Sequence, residues 1–597
     1  MSIQKAKLRA EVAEADKWRL EDLFATTEAW EAELTALKDD LARIGAYKGE
    51  LKKGVSVVKA CLTLDQALGQ RLEMLYVYAH CRRDENSVEP VAVARYQRVY
   101  ALYVEYGEVT SFVVPELSAL PLAKLQAYAA NKALVDFDYM LKGLIRQKAH
   151  ILSEAEESIL AQMRSFSGKF GEIFSVIDNA ELHLPKVEAD GESIQLTHGT
   201  YSQLLQNPKQ AVRKTGFDAL YETFKGLNNT IATIYGAEVL SNVFSARVRK
   251  YDDALTAALE GEDVPRAVYD KLLSAIHTAL PVMHDYVRTR RDILKIEQHM
   301  YDMYMPLVEG AEMKLPYKKA CQVVLEGLAP LGEKYAKLLK AAFKNGWIDV
   351  YETENKRSGA YCTHAYKAPH PYVLLNYSAT THDIFTIAHE LGHAMHSHFS
   401  AKSQPASKAD YRIFVAEVAS TVNESLLLAH LLRTTTDKAL KKFLLAYKLD
   451  TIRTTIFRQT MFSEFEARAH ALAEEGQPLT AETLNALYWE LNKQYYGDGV
   501  VHDDYIQYEW SRIPHFYTAF YVYKYATGLT AALHIADRIL SGDQGVTAQY
   551  FNFLKAGGHK SPYEILKDAG ADMATDAPYE NLAGIMKKTL QELKDLA

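Results

Sequence analysis

Cysteine is scarce in this chain of 597 residues. Cys61, Cys81, Cys321 and Cys362 are scattered without a C-x-x-C spacing. That excludes a dense disulfide framework and a thiolate metal site, and it suits a reducing compartment. No run of eighteen apolar residues occurs, so no membrane span is expected. The first 24 residues hold no apolar h-region, so no secretory signal is expected and the reading is cytoplasmic. A basic excess is also missing. The formal net charge is −8, which provides no electrostatic reason to expect nucleic acid or an anionic membrane as partner. Linkers rich in Pro, Gly or Ser, low-complexity tracts and internal repeats are absent from the sequence.

Strand signals are few. Residues 182–198 alternate around Asp190-Gly191, a strong hairpin turn. Residues 359–366 and 371–378, joined by "KAPH", read as a second hairpin. Helical patterning fills most of the rest, beginning with 26–47. Segments 57–83 and 90–117 then form a helical hairpin across "DENSVEP", with Pro90 suited to a first helical turn. At 48% hydrophobic and 24% charged residues the composition is globular, and the length calls for two to four structural units. The expected division falls near residue 195, giving an amino-terminal helical region, 1–195, and a second region, 196–597. The 38 tyrosines against 21 phenylalanines fit a large wet cleft, because tyrosine joins apolar area to a hydroxyl.

The chemistry concentrates in "TIAHELGHAMHSHFS", residues 386–400, which holds four of the chain's 20 histidines, with His382 just upstream. Thr380 or Thr381 is the expected N-cap, with Asp383 in the first turn. Ile384, Ile387, Ala388, Leu391 and Met395 form one buried stripe. His389, Glu390, His393 and His396 lie off it. One turn separates His389 from His393, so both imidazoles reach one ion, in the H-E-x-x-H arrangement of zinc peptidases. His396 lies about 10 Å along the axis from His389, at ~1.5 Å rise per residue, too far to share that ion. His396 and His398 are therefore expected to be supporting or exposed residues. The glycine turn and later histidine of the metzincin pattern are absent. A third ligand must come from elsewhere, and the next helix, 410–432, offers Glu417 and Glu424 two turns apart. On spacing alone either serves. Two neutral histidines and one carboxylate suit a catalytic zinc with an open position.

"AHELGHAMHS" followed by "FVAEVASTVNE", with "SGAYC" and "HPYVLLNY" upstream, "RIPHFYTAFYVYKYATG" downstream and "WRLEDLF" near the start, resembles the oligoendopeptidase F group of the thimet-oligopeptidase family. The resemblance covers essentially the whole chain. It implies a mainly α fold: a large helical two-part metallopeptidase with a deep central cleft or channel and a small β element beside the zinc-site helix. Region 1–195 would then wall the cleft, and 196–597 would be the catalytic domain. The resemblance implies one zinc per chain on His389, His393 and Glu417, with Glu390 as general base and Glu424 supporting the ligands. It also places transition-state hydrogen bonding on His515 and Tyr523, with Tyr517 and Tyr521 as the other tyrosines of that run. "PYVLLNYS", with Tyr372 and Leu374, is expected to pair with an extended peptide backbone. The turn-rich 494–505 segment is expected to be a mobile loop. The implied activity is a monomeric zinc endopeptidase for short unstructured peptides. A zinc exopeptidase, either dipeptidyl carboxypeptidase or metallocarboxypeptidase, is the alternative.

Overall fold

The computed structural model describes residues 7–308 and 310–596; residues 1–6, within the opening stretch read for a signal, lie outside it. Helices dominate, as the patterning predicts. The long ones that matter here are α1 (Thr27–Leu41), α2 (Val55–Glu85), α3 (Pro90–Thr110), α4 (Gln210–Val248), α5 (Arg266–Leu294), α6 (Thr381–Ser403), α7 (Ile413–Thr434), α8 (Arg458–Glu474) and α9 (Tyr523–Leu540). The Thr26 side chain caps α1 by accepting from the Ala29 amide. Pro90 opens α3, where its missing N–H costs nothing, and the Glu89 carboxylate takes the free amides of Val91 and Ala92. α3 ends at Thr110, short of the expected 117, and a separate short helix, Val113–Ala119, continues the chain.

Five strands appear among the described residues: β1 (Lys186–Ala189), β2 (Glu192–Gln195), β3 (Ile348–Asp349), β4 (Tyr361–Thr363) and β5 (Tyr372–Leu374). The first hairpin turns where expected, with positive φ at both Asp190 and Gly191. The second hairpin, β4 antiparallel to β5, also forms. It is enlarged by β3, which runs parallel to β5. The order β3-β5-β4 makes β5 the central strand and β3 and β4 the edge strands.

This order corrects one expectation. "PYVLLNYS" offers no free edge to a peptide, because β5 is hydrogen-bonded on both sides. Tyr372 and Leu374 are fully buried and join the apolar core of α1, α2 and the helices after them. A continuous apolar run reads alike whether its strand is central or at an edge.

The chain groups into two compact units, each assembled from separated stretches. One comprises Met1–Ile151, Glu312–Arg433 and Ile535–Gly570; the other comprises Leu152–Ala311, Thr434–His534 and Ala571–Ala597. A single division after residue 195 therefore does not describe these units. The core that α1 and α2 share with β5 puts the H-E-x-x-H helix in the same unit as the amino-terminal helices. In the second unit the 494–505 segment is packed and not loose. A Cβ on Gly497 would lie 2.7 Å from the His284 ring, and the Val501 amide donates to Gln298 at 2.7 Å.

The small sheet is held by a buried ion cluster. Lys356 Nζ, wholly buried, lies 2.7 Å from Asp349 Oδ1 and donates to the carbonyls of Tyr351 and Leu375, each at 2.6 Å. Arg9 bridges Asp349 and Glu85, both at 2.7 Å, and Glu85 also accepts from the Trp18 indole. Replacing Lys356 by Met leaves a buried carboxylate short of a partner, a loss of about 3–5 kcal/mol. The expected outcome is a lower denaturant midpoint in the tryptophan fluorescence transition; an unchanged midpoint would show that the cluster adds nothing.

Candidate metal and catalytic site

The site begins with how α6 starts and what it crosses. Thr380 is the N-cap: its hydroxyl accepts from the Asp383 amide at 3.1 Å, and Asp383 accepts from the Thr380 amide at 2.9 Å. Ile384, Ile387, Ala388, Leu391 and Met395 are all buried, as the stripe predicts. α7 crosses at Gly392, the glycine of the motif. A Cβ there would lie 2.5 Å from Ser420 Cα and 2.7 Å from the Ala419 carbonyl oxygen, so only glycine permits the approach. The register is set by Asn423, whose amide donates to the Ala388 carbonyl at 2.9 Å while its oxygen accepts from Tyr335 at 2.9 Å.

That crossing brings three donor atoms together. His389 Nε2 and His393 Nε2 are 3.2 Å apart, and each lies 3.4 Å from Glu417 Oε2. Zinc bonds of ~2.0–2.1 Å in tetrahedral geometry require ligand atoms about 3.3 Å apart. The three atoms therefore match one face of such a tetrahedron and leave its fourth vertex to a further ligand. Among the described residues they are the one group of three or more such side chains close enough to share an ion. The sequence left Glu417 and Glu424 equivalent, and the crossing separates them. Glu424 Oε1 lies 2.5 Å from His389 Nδ1, on the side of the ring away from the cluster. Accepting the Nδ1 proton leaves the Nε2 lone pair facing inward, the usual role of a carboxylate behind a ligating histidine.

The electrostatics agree with this division. Burial disfavours charge on His389, but the Glu424 hydrogen bond and the nearby carboxylates outweigh it and raise the metal-free ring to about 9, so a metal binding at Nε2 must displace a proton there. Burial also works against the Glu417 carboxylate, yet His393, His389 and Ser420 pull it down to about 2. Glu390, buried beside the cluster, is raised by desolvation against the opposing pull of the two histidines. A carboxylate made more basic in this way suits proton transfer near neutral pH.

The other histidines of the motif do something else. His396 is neither exposed nor at the site: its buried ring stacks on Tyr411 with centroids 3.6 Å apart, and burial pushes it down to about 3. It serves as a core aromatic. His398 is half-buried against Trp347, and His382 is exposed.

In the second unit His515 is exposed and stacks against Tyr521 at 6.1 Å. Tyr525 joins them, its hydroxyl 3.4 Å from His515 Nε2. Tyr523 does not: it is 1% exposed, with its ring edge-on to Tyr269. Its position at the start of α9 turns the side chain inward. Tyr517 also faces inward, between Phe174 and Tyr235. The tyrosines that share His515's surroundings are Tyr521 and Tyr525. Tyr525 falls within the 515–525 run but is not singled out by the sequence; Tyr521 precedes the helix that carries Tyr525, so no helical spacing relates the two, and only the fold brings them together.

With this geometry established, comparison with known proteins assigns the family. Residues 203–585 match the description "Peptidase family M3", and residues 116–183 match "Oligopeptidase F". The chain belongs to peptidase family M3. The match to the oligoendopeptidase F group confirms the resemblance read from the motifs, and the family makes the protein a metallopeptidase. Oligopeptidase PepF of Bacillus subtilis is 40% identical over 591 residues, covering 98% of this chain and 88% of that protein. The crystal structure of oligoendopeptidase-F from Enterococcus faecium aligns with a TM-score of 0.73 at 32% identity, covering 95% of this chain and 99% of that one. A Chlamydophila abortus crystal structure aligns at 0.93 with 34% identity, covering 99% and 100%. Among the described residues no helix is long and apolar enough to cross a membrane.

Two outcomes test the geometry of the peptidase. Glu417→Ala is expected to lose the metal, whereas Glu424→Ala keeps it with ~10–100-fold weaker affinity; zinc titrations giving the reverse order would exchange the two roles. Gly392→Ala must part the helices by a sizeable fraction of an ångström. It is expected to lower kcat/KM by ~10²-fold, as displacements of that order do. Full activity in a folded Gly392→Ala protein would show that the close crossing is not what aligns the donors.

Proposed function

We propose that the protein is a zinc-dependent endopeptidase that hydrolyses internal bonds of short, unstructured oligopeptides, acting as a cytoplasmic monomer. The observation that carries this reading is the triangle of His389, His393 and Glu417 donors with tetrahedral edge lengths, next to the basic, buried Glu390. The names of the oligopeptidase relatives support the substrate class.

Zinc held by these three side chains would supply a Lewis acid for the scissile carbonyl and a lowered pKa, ~7, for water. Everything else falls to the chain. Glu424 holds His389 in the tautomer that directs Nε2 inward. Glu390 takes the proton of the attacking water and passes it to the leaving amine, one residue serving as base and then acid. The edge strand β4, Tyr361–Thr363, is the backbone on which an extended peptide pairs, a task that the central β5 cannot perform. Pairing through the main chain asks little of side chains and favours unfolded substrates. The family resemblance assigns hydrogen bonding of the oxyanion to His515 and a tyrosine of the run after it, and the tyrosines beside His515 are Tyr521 and Tyr525.

Glu390→Gln is expected to lower kcat by ~10²–10⁴-fold while retaining one zinc per chain, because the residue acts on water and not on the metal. Loss of zinc in that variant, seen by metal analysis, would overturn the assignment. With a peptide blocked at both ends, mass spectrometry should show internal cuts. Cleavage restricted to peptides with a free terminus would favour an exopeptidase.

A further inference from the structure

The segment that carries His515 is held at two buried points. The first is Phe516, packed among Phe465, Phe462 and Tyr235 with centroids 5.1–5.7 Å away. The second is Phe520, which adopts φ +53°, a left-handed conformation that is an outlier for a bulky residue. Such a conformation persists only where the surroundings over-determine it, and these outliers cluster at functional sites. Three groups hold Phe520. Its amide donates to Glu466 Oε1 at 2.6 Å, and its ring lies 4.6 Å from His470 and edge-on to Tyr269 at 6.3 Å. His470 is in turn placed by the Glu466 carbonyl at 2.8 Å.

Glu466 itself is anomalous. It is fully buried, and its Oε2 has no hydrogen-bond partner among the described residues. A buried carboxyl so poorly satisfied is costly, and a leucine there would fill the space without that cost. Immediately past the strained residue come Tyr521, half-buried under the Lys524 ammonium at 4.8 Å, and Tyr525. Glu262 pins that lysine.

We propose that Glu466 is a positioning residue: by accepting from the Phe520 amide it locks the left-handed turn that sets Tyr521 and Tyr525 against His515. This rests on the reading that His515 and its tyrosine partner act on the transition state. Burial raises Glu466 to about 8, so at neutral pH it is mostly the neutral acid, and glutamine is a close substitute. The turn needs one acceptor of the right reach and no charge.

The experiment compares Glu466→Gln, Glu466→Asp and Glu466→Ala with His515→Ala in the zinc-loaded full chain. Glutamine keeps the acceptor and is expected to leave kcat within about 3-fold of the parent. Aspartate, one methylene shorter, keeps the carboxyl but loses the reach. Both it and alanine are expected to lower kcat by ~10-fold or more with KM changed less than about 3-fold, the signature of a group felt mainly in the transition state. Combined with His515→Ala, which alone should cost ~10²-fold, Glu466→Ala should add little, because both act through one unit. Hydrogen exchange should quicken at residues 515–525 in the Asp variant and not in the Gln variant. If His515→Ala lowers kcat while Glu466→Asp does not, the positioning role is overturned and the reading of His515 stands. If Glu466→Gln loses as much as Glu466→Asp, the acceptor is not the cause and the inference fails. If His515→Ala leaves kcat unchanged, the reading of His515 falls and this inference falls with it.

Discussion

The site depends on one steric constraint, the contact of α6 and α7 at Gly392. With no side chain there, the backbone of Ser420 comes to within a distance that any Cβ would forbid. Helices this close bring Glu417 within 3.4 Å of both histidine Nε2 atoms; helices at the usual 8–10 Å spacing would leave them too far apart for three short bonds to one ion. The glycine within H-E-L-G-H thus shapes the candidate metal site as much as its three donor residues do. Asn423 completes the constraint by fixing the sliding of one helix along the other.

Around that contact the protein divides its carboxylates by environment. Glu417 faces two imidazoles and stays ionised; Glu424 stands behind one of them; Glu390 is desolvated and made more basic. Three glutamates within two helices thus occupy three environments without any difference in their chemistry. In the second unit Glu466 is a fourth case, buried so completely that its neutral form prevails. Histidines divide in the same way. His389 and His393 present nitrogen to the cluster, while His396, seven residues from His389 on the same helix, is a neutral ring in a stack with Tyr411 and Phe553.

The β element shows a similar economy. Three strands of two or three residues would not form a stable sheet in water, and this one persists because Lys356, Asp349, Arg9 and Glu85 tie its ends to α2. With β3 on one side and β4 on the other, β5 is sealed into the core, and the edge positions fall to β3 and β4.

What the sequence determined by itself is local. The cap at Thr380, the stripe of Ile384 to Met395, the one-turn spacing of His389 and His393, the Asp190-Gly191 turn and the Pro90 helix start all follow from interactions within a few residues, and all were legible. The choice of Glu417 ahead of Glu424 as candidate ligand came only from the family resemblance, because two turns of one helix offer both carboxylates equally. The tertiary structure alone decided what each periodic position meets. It made Gly392 a crossing point, put Tyr372 and Leu374 inside a core, sent Tyr523 inward and Tyr525 beside His515, and drew residues 312–433 into one unit with the amino-terminal helices. The physical reason is common to these cases. Hydrophobic periodicity reports that a face is buried, but only contacts distant in sequence specify which neighbour buries it.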